Sequence, residues 1–106
     1  MIHYNVWFSF KPGTVESDAL AKVHECLGDL KARQLLQDYT LFRHRTDLGP
    51  VTRAPFHAVI ALTAEQFPLP FQHVIQTGVH SGRHGQMIEN VDTFIVEVFE
   101  DLPLTR

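Results

Sequence analysis

A chain of 106 residues, 44% of them apolar, is long enough for one compact core and too short for two, so a single domain over 1–106 is expected. The formal charge is −3 and the nine Lys and Arg are scattered, so there is no basic field of the kind nucleic acid requires, and no apolar run is long enough to cross a bilayer. Nucleic-acid and membrane partners are set aside on these grounds, and a lone cysteine, Cys26, cannot form an intrachain disulfide.

The chain opens Met1-Ile2-His3-Tyr4-Asn5 without a basic, then apolar leader, so a soluble cytoplasmic protein is expected. Residues 2–10 alternate, with Tyr4, Val6, Phe8 and Phe10 pointing one way and His3, Asn5, Trp7 and Ser9 the other, which predicts a first strand. Lys11-Pro12-Gly13 ends it. Thr14 or Ser17 can then cap a helix whose apolar stripe is Leu20, Val23, Leu27 and Leu30, with Cys26 as a buried structural thiol. Residues 37–46 return to period two, with Thr40, Phe42 and His44 on one face, and residues 55–63 read as a third strand. The turn formers between them predict a hairpin with a loop over 47–54. Pro68 and Pro70 delay the next helix until near Pro70, and Phe71, Val74, Ile75 and Val79 form its apolar side. Gly78, Gly82 and Gly85 interrupt it, a further turn is expected between Gly85 and Asn90, and residues 92–100 are the fourth strand.

The order β-α-β-β-α-β is that of a ferredoxin-like α+β fold, with an antiparallel sheet in order 4-1-3-2 and both helices on one face. On the other face the alternation places Trp7, Phe42, Val59, Ile95 and Phe99. An apolar patch of that size marks an interface, and a two-fold homodimer, sheet against sheet, is its simplest cover.

The run Ile2-His3-Tyr4-Asn5-Val6-Trp7-Phe8-Ser9-Phe10-Lys11-Pro12-Gly13 resembles the opening of stress-responsive dimeric α+β barrel domains. Pro55-Phe56-His57-Ala58-Val59 is similar to their third strand and residues 92–101 to their closing strand. The likeness, strongest to an uncharacterised bacterial group, implies a dimeric α+β barrel. Its superfamily includes cofactor-independent monooxygenases and a plant polyketide cyclase. Carried over by motif, the cyclase's pocket histidines fall on His3, on His57, and on His80 or His84, with Glu97 where the family often has Asp. Two prolines and three glycines in the second helix depart from the family pattern, so the third histidine stays open.

Seven histidines are many for a chain of this size, and histidine is the side chain suited to acid–base work near neutrality. A symmetric 47–54 loop would set His44 opposite His57, looking into the shared cavity. His3 would lie about six residues, roughly 20 Å, along the sheet from His57, and is read either as catalytic or as a structural partner near Glu97. His80 and His84 have the i, i+4 spacing of a metal pair, but Gly82 and Gly85 argue against one continuous helix, so no metal is assigned. With Arg83 they are read instead as a lip capping the pocket.

The expectation is therefore a small, mostly apolar ligand bound without cofactor. Its pocket is lined by Asn5, Trp7, Phe42, His44, His57, Val59 and Glu97 and capped by residues 78–85, with His57, His44 and His3 as candidate catalytic groups. The chemistry would be proton transfer beside a carbonyl, opening onto cyclisation, isomerisation or monooxygenation. The competing expectation is a non-catalytic, structural or stress-related homodimer in which Trp7 and Phe42 fill the space.

Overall fold

Aromatic and β-branched residues at the head of the chain form an inner strand of the sheet. In the computed structural model, which describes residues 1–50 and 54–103, the elements are β1 (Ile2–Phe10), α1 (Glu16–Ala32), β2 (Asp38–Arg43), β3 (Phe56–Leu62), α2 (Leu69–Thr77), α3 (Gly82–Ile88) and β4 (Val91–Glu100). All strand pairs are antiparallel and the sheet order is β2-β3-β1-β4, the expected 4-1-3-2 counted from the opposite edge. The architecture is ferredoxin-like.

One face of this sheet carries the core. Val23, Cys26, Leu27 and Leu30 of α1 are buried with Leu36 and Leu62, and Tyr4, Phe10, Leu41 and Ile60 pack against them. Phe8, Phe56 and Ala58 form an adjoining cluster that takes in Leu20. Each fully buried Val, Leu or Phe among them stabilises the fold by about 1.5–3 kcal/mol. Neither Thr14 nor Ser17 caps α1: its N-cap is Val15, without a side-chain bond, and Glu16 and Asp18 in the first turn complement the helix dipole instead.

The prolines act as expected. Thr63 and Gln66 exchange backbone-to-side-chain bonds of 3.0 and 3.1 Å, but the helix they announce waits until Leu69, with proline in its first turn. Gly78, at φ 98°, closes α2 in a conformation that L residues avoid. The single turn expected near Gly85 is a seven-residue helix that starts earlier, at Gly82, and the Lys22–Glu89 ion pair of 2.7 Å ties its end to α1.

The hairpin register differs from the expectation. His57 lies opposite Phe42, and the amide of His44 bonds the Pro55 carbonyl at 2.8 Å, so the pairing is displaced by two residues and β2 stops at Arg43. A shift of two preserves which side chains share a face, which is why hydropathy alternation could not detect it. Residues 51–53 of the connecting loop fall outside the described residues.

Candidate functional site

The helix-free face brings together the odd-numbered residues of β1 and β3, those of β4 from Thr93 onward, and the even-numbered residues of β2; a register irregularity after Phe8 turns Val91 into the core. His57 is its centre. On the neighbouring strand Trp7 lies opposite it, with rings 4.5 Å apart and 10° from parallel, and on the other side Phe42 stands 5.7 Å away. Asn5, 7% exposed, is the one buried polar residue among those described. Its Nδ2 donates to the His3 carbonyl at 3.2 Å, which turns Oδ1 toward His57 Nε2 at 2.7 Å.

That network assigns the tautomer. An amide oxygen only accepts, so Nε2 carries the hydrogen and the neutral ring keeps its lone pair on Nδ1. Burial pushes the His57 pKa below its ordinary 6.5, so the ring is neutral at pH 7. Val59 and Glu97 face Asn5 from either side; Val59 is half-buried and Glu97 is exposed. The arrangement sets an imidazole of fixed tautomer between two aromatic walls, with Glu97 opposite the Asn5 that holds it.

The other sequence candidates are distributed differently. His44 does not pair with His57; its Nε2 lies 3.0 Å from Asp47 Oδ1 at the mouth of the hairpin. His3 is not held by Glu97. Its Nε2 meets Asp101 Oδ1 at 2.7 Å, and the same carboxylate takes the terminal amine at 3.3 Å. The bond to His3 is the main cause holding the Asp101 carboxyl below its usual range. His3 lies opposite Ala61, four residues from His57, which at strand rise is about 13 Å rather than 20 Å.

His80, Arg83 and His84 belong to the helix layer, on the opposite side of the sheet from His57, so within one chain they do not cap that face. His80 precedes the Ser81 N-cap of α3 and shares no helix with His84, whose Nδ1 donates to the Val79 carbonyl at 2.6 Å. Among the described residues no cluster of three or more His, Cys, Asp or Glu could hold a metal ion. Arg83 joins Asp29 at 3.2 Å. With Arg33, His73, Thr77, Ser81 and the buried Cys26, this pair lines a cleft of about 160 Å³. Sequence reading passed over Asp29 and Arg33, although their i, i+4 spacing on α1 was a legible signal. No helix among the described residues is long and apolar enough to cross a membrane.

A family model described as "Family of unknown function (DUF6614)" matches residues 1–105. No curated protein matches the sequence. A crystal structure of an Arabidopsis thaliana protein superposes with TM-score 0.68 at 10% identity, over 100% of both chains. A protein from Jannaschia sp. CCS1, described as dimeric, ferredoxin-like and of unknown function, gives 0.67 at 13% identity over 94% of this chain and 98% of that one. An antibiotic biosynthesis monooxygenase gives 0.60 at 12% identity, over 97% of this chain and 100% of that one. At such identities the likeness is one of fold.

Proposed function

The chain belongs to this family of unknown function, DUF6614, and on that premise we propose that it works as a homodimer binding a small, mostly apolar ligand on its helix-free sheet face, with His57 as the acid–base group. The observation that carries the reading is the Asn5–His57 hydrogen bond of 2.7 Å set into an aromatic face. A protein needing only grease there has no use for a neutral imidazole with a fixed tautomer.

The dimer is supported by what the face exposes. Phe42 is 50% exposed, Ile95 62% and Phe99 50%, and a second copy is the partner always present at matching concentration. Solved neighbours described as dimeric share this fold. Enclosed between two such faces, His57 would take a proton from a carbon beside a carbonyl onto Nδ1 while the electron pair moves to the carbonyl oxygen as an enolate. Cyclisation or isomerisation can follow from that intermediate directly, and monooxygenation can follow where dioxygen is the oxidant and the enolate itself supplies the electrons.

The test is a thermal-shift screen of small aromatic and polyketide-like compounds against the wild type, His57→Ala and His44→Ala. A compound that stabilises the wild type and His44→Ala but not His57→Ala supports the site, whereas equal responses in all three remove it. A second reading draws on the near-parallel Trp7–His57 stack, which fills the face as packing would. In that case the dimer forms, nothing in the screen binds, and His57→Phe raises Tm.

A further inference from the structure

The helix layer carries a charge arrangement that the His57 face does not explain. Asp29, on the fourth turn of α1, offers one oxygen to Arg33 Nε at 2.9 Å and the other to Arg83 Nη1 at 3.2 Å. Two guanidiniums thus converge on one carboxylate, and no other carboxylate is ion-paired to either among the described residues. The cluster holds a surplus positive charge in a chain whose net charge is −3. Each guanidinium presents five N–H donors in a planar fork, far more than a shared carboxylate can occupy.

These groups ring the cleft of about 160 Å³ between the helices, room for about five waters at ~30 Å³ each. Its floor is Cys26 and Leu30, 3% and 7% exposed. A water-poor floor beneath a cationic rim strengthens attraction for an anion at the mouth. The walls add the hydroxyl of Ser81 and the imidazoles of His73 and His84. Because Nδ1 of His84 is committed to the Val79 carbonyl, its Nε2 is the nitrogen left to face a ligand.

We propose that this cleft binds a small oxyanion, a carboxylate or phosphate group, in the fork between Arg33 and Arg83, with Asp29 as the resident carboxylate that preorganises and competes with it. The site is independent of His57 and of the helix-free face. It also replaces the lip role that the sequence suggested for Arg83 and His84: these residues serve a separate site across the sheet.

The test follows backbone amides by NMR while inorganic phosphate is added, against sodium chloride at matched ionic strength. Saturable shifts at Leu30, Ser81 and Gly82 with phosphate alone are expected. Arg83→Gln and Arg33→Gln should each weaken the response at least tenfold, and Asp29→Asn, which removes the competitor, should tighten it. Unfolding of one Arg variant leaves the other to decide. The assignment is overturned if chloride reproduces the shifts, if both Arg variants respond like the wild type, or if Asp29→Asn abolishes binding while the chain remains folded.

Discussion

His57 shows how one environment decides a side chain's chemistry. Burial on the sheet beside Trp7 and Phe42 disfavours its charged form, so its folded pKa lies below the unfolded value. The unfolded chain therefore takes up the proton first as pH falls. The stability this supplies is complete above about pH 6.5 and is lost as pH drops toward the folded pKa. Urea midpoints measured from pH 7.5 to 5.5 should fall for the wild type and flatten in His57→Gln. The depressed carboxyls of Glu16, Asp38 and Asp101 lose their contribution too, but in the more acid carboxylate range. Asn5→Ala leaves the imidazole hydrogen without its acceptor and should cost about 1–3 kcal/mol in urea unfolding. In His44→Ala, where only an Asp47 pair at the hairpin mouth is lost, the change should be within about 0.5 kcal/mol.

Among the elements, α1 does most to hold the sheet's covered face. Leu27 is 5% exposed in the main cluster, so Leu27→Ala should lower unfolding free energy by about 2–5 kcal/mol. Gly85 is a local requirement of α3. A Cβ there would run into the His80 carbonyl, so Gly85→Ala should lower Tm by displacing the start of the helix. The β2–β3 hairpin was legible as a hairpin because both strands alternate, but not in its register. Loop length specifies register when a tight turn dictates geometry, and the twelve-residue connection over 44–55 does not. So Phe42 rather than His44 came to face His57.

The whole molecule is a flat two-layer slab, 51 × 40 × 17 Å, with a radius of gyration of 14.7 Å against about 13 Å for a compact chain of this length. Its greatest excess of apolar surface is β4. On the helix-free side Ile95 and Phe99 are exposed, and on the other side Phe94 is 66% exposed and Val98 49%, since the chain's own helices stop short of that edge. Replacing Ile95 by Asp would place a charge in the proposed dimer face, and light scattering should then show a monomer where the wild type shows a dimer. A wild-type chain that stays monomeric at micromolar concentration would remove the dimer and the enclosed site together.

Element order, the faces of the strands and the α1 stripe follow from periodicity, because burial on one side repeats every two or 3.6 residues and leaves its mark in the chain. The ferredoxin-like topology follows from that order. Which side chains meet was decided only in three dimensions: Asn5 with His57, His3 with Asp101, and Arg83 with Asp29. These contacts join strands and helices far apart in the chain and depend on register and layer, and a single strand's hydropathy specifies its register only to the nearest two residues.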